Sequence, residues 1–350
     1  MSFQNEKKYC GHLSQLFDVK EYRMVGGRAD GLRAVDIDNG AGLCVTVLAD
    51  RAMDIGRVTF KGINMNYCSP TGYVAPQYYD ERGAEWLRSF GAGFLTTCGL
   101  SNIGSGCEIN GTMCGIHGRI ANIPAEQFSA KICKNEDGTP YALLEGKLRL
   151  GVLNGENFLV TRQIKISFRD NTISLNDTIE NLSCRTLPYM HLYHFNLGYP
   201  LIDEDARVFI PSESTKARSD FAQSGYDRRN QLEVPVANIE EMCYYHMLKK
   251  NSAGMSGAGV YNDKKAVGAF ICFEEGSSVD RMIQWKMMGE GDYVLGLEPA
   301  NAWVEGQVDA RETGVLKYLN PGEIATNSIT VKFVSGEDEL DAFRKEAEIF

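Results

Sequence analysis

Gln163-Ile164-Lys165-Ile166-Ser167-Phe168, Arg169-Asp170-Asn171 and Thr172-Ile173-Ser174-Leu175-Asn176 form the continuous stretch whose reading decides the fold. Polar and apolar residues alternate on both sides of a short Arg-Asp-Asn break. A period of two puts one face of each run on a core and the other toward water. Asp and Asn favour a turn because their side chains bond nearby backbone. The stretch therefore reads as an antiparallel hairpin. Working outward, residues 43–49, 158–168, 172–179, 266–273 and 327–334 are rich in Val, Ile, Leu, Thr and Phe and read as strands. The 36 glycines fit many tight turns and bulges. Helical pattern is sparse. Residues 8–17 read as a short N-terminal helix, and 338–349, with Leu340, Phe343 and Ala347 near helical spacing, as a closing one. Strands do not alternate with long amphipathic helices, which argues against a doubly wound sheet or a (β/α)8 barrel. The expectation is an all-β protein with few short helices: one antiparallel domain over 1–350, a short N-terminal extension over about 1–25 and a C-terminal helix over about 338–349.

Composition narrows the function. The chain has 350 residues, 43% of them hydrophobic, which is enough for a sizeable core. Its formal net charge of −10 offers no global attraction to nucleic acid or an anionic membrane. No run approaches the ~18 apolar residues that span a bilayer, and no apolar stretch behind the first residues suggests a signal peptide. A cytoplasmic protein with neither nucleic-acid nor membrane partners is expected. The ten cysteines include no C-x-x-C pair, and several, such as Cys44 and Cys272, sit in apolar runs. They read as reduced, buried thiols.

Three segments break the ordinary pattern. In residues 90–126, glycines flank His117 and Arg119 closely, as where backbone turns sharply or approaches a ligand. In residues 187–203, His191 and His194 lie among aromatics. Strand parity puts His194 and Asn196 on one face and His191, Tyr193 and Phe195 on the other. An imidazole beside an amide on an aromatic-flanked face suits sugar hydroxyls. In residues 293–311, Glu298 ends a wholly apolar run before Pro299. A carboxylate there must be paired, hydrogen-bonded or functional, and a salt bridge to a buried arginine is its structural alternative. Phosphate-loop, dinucleotide, nucleophile-elbow and zinc-protease motifs are absent.

Several strings, in order, resemble the aldose 1-epimerase or galactose mutarotase-like superfamily, most closely its uncharacterised bacterial branch. They are Asp50-Arg51-Ala52-Met53-Asp54-Ile55-Gly56, residues 90–100, residues 115–126, Leu192-Tyr193-His194-Phe195-Asn196-Leu197-Gly198-Tyr199-Pro200, Gly296-Leu297-Glu298-Pro299-Ala300-Asn301 and Leu319-Asn320-Pro321-Gly322-Glu323. The resemblance implies an antiparallel β-supersandwich with an open sugar site, a Glu general base and a His general acid, and no cofactor or metal. The Glu falls on Glu298 and a substrate-contacting His on His117. Aligning on Phe195-Asn196-Leu197 puts Leu192 where the acid belongs; His194, two residues on with the same strand parity, is assigned instead. The implied chemistry has Glu298 deprotonating the anomeric hydroxyl while His194, or alternatively His117, protonates the ring oxygen from the opposite side. Arg51, Arg119, Asn196 and His191 are assigned to substrate. Arg119 and Arg82 could bind an acidic group, and Trp303, Trp285 or Tyr199 could stack on the sugar. Isomerisation or epimerisation at C2 or C3, non-catalytic carbohydrate binding, and a metal site from His117, His194 and Glu298 that has no ligand-spacing signature are the competing readings. Edge strands could pair two copies into a homodimer.

Overall fold

The deciding hairpin is present. In the computed structural model, which describes residues 3–109, 111–274 and 276–350, strand Asn157–Ser167 pairs antiparallel with Thr172–Asn181, from Phe158 opposite Asn181 to Ile166 opposite Ile173. Ile164, Ile166, Ile173 and Leu175 are buried, as the alternation requires. This hairpin lies within an eight-stranded sheet. Its order is Ala206–Phe209, Ser256–Asn262, Val267–Phe273, Ile324–Ser335, Thr172–Asn181, Asn157–Ser167, Pro140–Gly151 and Glu126–Lys134.

A seven-stranded sheet runs Ser212–Ala217, Met242–Leu248, Arg281–Met288, Tyr293–Ala300, Leu187–Gly198 and Lys317–Leu319, with Leu95–Leu100 also paired to Leu187–Gly198. A five-stranded sheet takes the strands from Asp18–Arg23 to Ile63–Asn64 in chain order. Every pairing between these strands is antiparallel. One apolar cluster draws on all three sheets, with Val47, Leu144, Ile164, Phe195, Leu295 and Val331 among its members. Burial of each such side chain is worth about 1.5–3 kcal/mol.

The seven-stranded sheet is buried on both faces along Leu187–Gly198, where all but Pro188 are buried. On the side away from His194, Arg162, fully buried, donates to both oxygens of Asp177 at 2.8 and 2.6 Å and to Asp54 at 3.1 Å. The Tyr193 hydroxyl donates to Asp177 at 2.6 Å. A buried charge is tolerated only when paired and hydrogen-bonded, and this network ties the strand to the sheet behind it.

Two expectations need correction. Residues 8–17 form no helix; two three-residue 3-10 turns, Lys7–Tyr9 and Leu13–Gln15, flank a bend at Gly11. Glycine weakens a helix interior, and the Gln15 side chain takes the Gly11 amide at 2.9 Å. The segment expected as an extension also contributes the Asp18–Arg23 edge strand. Cys44, read as buried, is exposed, since it alternates outward from Leu43 and Val45. All ten cysteines are free, and Cys98, Cys243 and Cys272 are buried. The closing helix spans Glu337–Ala347 and buries Leu340 and Phe343. Among the described residues, no helix is long and apolar enough to cross a membrane.

Candidate functional site

Strand register builds the site. Phe195 pairs with Leu297 and Asn196 with Gly296, so His194 comes opposite Glu298 on one face of adjacent strands. The same row continues to Thr96 on one side and Ile283 on the other. In the neighbouring row, Gly296 lies between Asn196 and Trp285. A Cβ at Gly296 would sit 2.5 Å from Glu298 Oε1 and 2.9 Å from the Trp285 Cβ. The missing side chain is therefore the space into which the carboxyl folds.

Over this floor lies a cavity of about 330 Å³. Trp86 and Phe90 come from the segment after residue 84, and Gly104, Ile116 and His117 from the next loop. Arg218, Glu241 and Cys243 close the far side. His194 Nε2 and Glu298 Oε1 are 3.3 Å apart. The contact is not aligned as a hydrogen bond, and Oε1 has no other partner. The His194 ring packs against Phe90, Trp285 and His117, with centroids at 5.2, 5.4 and 5.6 Å.

His117 is held in a left-handed backbone conformation at φ 55°, a cost that surrounding structure must offset. Its N–H donates to Gly104 O at 3.0 Å and its carbonyl accepts from Gly99 N at 2.9 Å. The Gly104 N–H donates to His117 Nδ1 at 3.2 Å. In the neutral ring the proton is then on Nε2, which becomes a donor. The Trp86 ring packs against the imidazole at 4.8 Å, tilted by 36°.

Burial sets the charge state. Removal from water pushes the Glu298 carboxyl well above its ordinary value, with the Glu241 charge adding to the rise. Burial, and then His117, holds His194 well below the ordinary imidazole value. Burial and the Arg218 charge lower His117 to about 4. Both shifts run toward the uncharged forms, a carboxylic acid facing a neutral imidazole. Arg218 does not neutralise Glu298: it donates to both oxygens of Glu305, at 3.0 and 3.2 Å. The Trp285 indole donates to Glu241 at 2.8 Å.

Of the residues singled out by sequence, Glu298, His194, His117 and Trp285 meet in this cavity. The acid and base expected on opposite sides of a sugar are instead in mutual contact. The others lie elsewhere. Arg51 is buried away from the cavity, bound to Val74 O, Asn122 Oδ1 and Ser89 O. Arg119 pairs with Glu81 at 3.2 Å, half-exposed, and Arg82 pairs with Asp80 on the surface. Asn196 bonds the His194 carbonyl at 2.8 Å. His191 turns to the opposite face, stacked on Tyr193 at 4.4 Å. Trp303 stacks on Tyr245 in an adjoining cavity, and Tyr199 is exposed at the surface. The buried arginine considered for Glu298 is absent, and an imidazole takes its place. Trp86, Phe90, Arg218, Glu241 and Cys243 went unread. The Arg218 position carries no local motif, and Trp86 was signalled only by being one of three tryptophans.

Over residues 29–333 the chain matches a family model described as "Domain of unknown function (DUF4432)". No curated protein matches it. Among solved structures it is similar to a Klebsiella pneumoniae protein whose aldose 1-epimerase designation is provisional. That match has a TM-score of 0.89 and 23% identity, and covers 96% of this chain and 90% of the other. A galactose mutarotase-like protein from Clostridium acetobutylicum matches with a TM-score of 0.64 and 15% identity over 92% and 99% of the two chains. A galactose 1-epimerase from Lactobacillus acidophilus matches with a TM-score of 0.58 and 14% identity over 92% and 100%. At these identities the likeness is one of fold: the chain is a galactose mutarotase-like antiparallel β-sandwich.

Proposed function

The chain belongs to the family of domains of unknown function designated DUF4432, and from that premise we propose that it interconverts the anomers of an aldose by acid–base catalysis. The observation that carries the reading is the contact of a carboxyl and an imidazole, 3.3 Å apart, on the floor of a sugar-sized cavity. The anomeric hydroxyl oxygen and the ring oxygen of a hemiacetal are bonded to the same carbon. A base for one and an acid for the other must therefore lie close together, and an adjacent pair meets that need.

One proton serves the pair. Its transfer from Glu298 to His194 Nε2 turns two neutral groups into a carboxylate and an imidazolium. Glu298 then takes the anomeric proton while His194 protonates the ring oxygen. The C1–O5 bond breaks, the free aldehyde turns about C1–C2, and the reverse steps close the ring on its other face. Each group contributes about 10²–10⁴-fold. The His117 Nε2–H supplies a donor for a sugar oxygen, and the Trp86, Phe90 and Trp285 rings supply apolar walls. No redox step enters this sequence.

Polarimetry of freshly dissolved α-anomers, across a panel of aldoses, tests the assignment. Glu298→Gln should lose most of the enzymatic acceleration, by about 10²-fold or more, with the fold intact; an unchanged rate excludes Glu298 as the base. A second reading rests on His117, a neutral donor beside the pair, placed to polarise a carbonyl during C2 or C3 chemistry. Turnover in D₂O separates the two, since deuterium enters carbon only if a C–H bond breaks.

A further inference from the structure

We propose that the site takes the reducing end of a disaccharide, with its second ring in an outer cavity that adjoins the first at Arg218. This rests on the anomer-exchange reading of the inner cavity. The outer cavity, about 450 Å³, is larger than the inner one, and Arg218 lines both. Both lie on one face of the same sheet. Cys243 and Tyr245, two residues apart on strand Met242–Leu248, share a face, and the first lines the inner cavity and the second the outer. Val304 lines the inner cavity while its neighbours Trp303 and Glu305 line the outer.

The sill between them is fixed. Arg218 is clamped on Glu305 and reaches Ser105 Oγ of the inner cavity at 3.3 Å, and the Tyr245 hydroxyl donates to Glu305 at 2.5 Å. Beyond it, the Trp303 ring stacks on Tyr245 at 4.7 Å and lies 4.6 Å from the Arg281 guanidinium. Ser214, Lys216 and Asp309 border this aromatic wall. Among the described residues, their side chains make no hydrogen bond or ion pair, so their donors and acceptors are free for a ligand. A phosphate or carboxylate is a poor occupant: Arg218 is already matched by Glu305, and the Lys216 ammonium, whose charge acts on Glu305, shares the cavity with the Asp309 carboxylate. Donors and acceptors of both signs beside a rigid aromatic pair suit the hydroxyls and C–H face of a neutral ring.

Titration calorimetry of the whole protein with glucose, galactose, maltose, cellobiose and lactose tests this. At least one disaccharide should bind about tenfold more tightly than its reducing-end monosaccharide. Lys216→Ala and Asp309→Ala, each checked for an unchanged melting temperature, should reduce that advantage about three- to tenfold. Disaccharides that bind no more tightly than monosaccharides, or an advantage that survives both substitutions, overturn the second ring and leave the Glu298–His194 reading standing. Because binding is read without turnover, a disaccharide advantage with no anomer exchange on any sugar retains the second ring and rejects the catalysis.

Discussion

At the scale of single residues, Glu298 carries the account. The sequence marks it through its apolar run and the proline that follows. Its partner is legible through strand parity, because His194 shares a face with Asn196. The imposing polar residues Arg51, His191 and Asn196 misled because they are used inside the fold, and only tertiary contacts reveal that. Burial of a carboxyl whose nearby cation, Arg218, is bound to Glu305 instead makes a stability prediction. The folded-state value of Glu298 lies well above its ordinary 4.5. Its contribution to stability is thus fully present below about pH 4.5 and is lost as pH rises toward the folded value. Glu298→Gln removes that dependence. By differential scanning calorimetry it should melt at a higher temperature than the parent at pH 7, with the gap narrowing toward pH 4.5. Gly296 supplies a second prediction. A methyl group there would meet the carboxyl at 2.5 Å and the Trp285 Cβ at 2.9 Å. Gly296→Ala should lower kcat for anomer exchange by about tenfold or more, in line with the cost of misplacing a catalytic group, and should cost about 1–3 kcal/mol of stability. Wild-type kcat in a folded variant would remove Gly296 from the positioning of the base.

At the scale of elements, strand Leu187–Gly198 joins function to stability. Its even positions present His194 to the cavity, and its odd positions present Tyr193 and His191 to the Arg162–Asp177 network. The sequence showed that two faces existed, but not that both were covered, because an alternating polar and aromatic strand reads as half-wet. Nor could it show which loops roof the site. Phe90 and His117 are brought there by a segment whose local signal was glycine, and Trp86 by a segment with no motif of its own. Breaking the network behind the strand should be costly. Asp177→Asn leaves the buried Arg162 short of one counter-charge and should destabilise by about 3–5 kcal/mol, read from chemical denaturation at neutral pH. A loss under 1 kcal/mol would mean that the network does not brace the strand.

At the scale of the whole molecule, the all-β class followed from alternation, strand-forming composition and sparse helical pattern, and the hairpin at 163–176 lies where the alternation put it. Sheet order did not follow. Which strands become neighbours depends on pairings far apart in sequence, such as Thr172–Asn181 with Ile324–Ser335. The helix expected over 8–17 failed for a local reason, a glycine bend that the Gln15 side chain caps more readily than a helix would continue. The site is a product of this architecture: the sheet register sets the Glu298 carboxyl against the His194 imidazole, and the proposed proton chemistry needs both. A double-mutant cycle tests that directly, with α-to-β exchange measured by NMR on the parent, Glu298→Gln, His194→Gln and the double variant. Groups sharing one proton should fail together, each single substitution costing nearly as much as both. Losses that multiply independently, or single variants that exchange anomers at the parent's rate, would contradict the shared-proton pair.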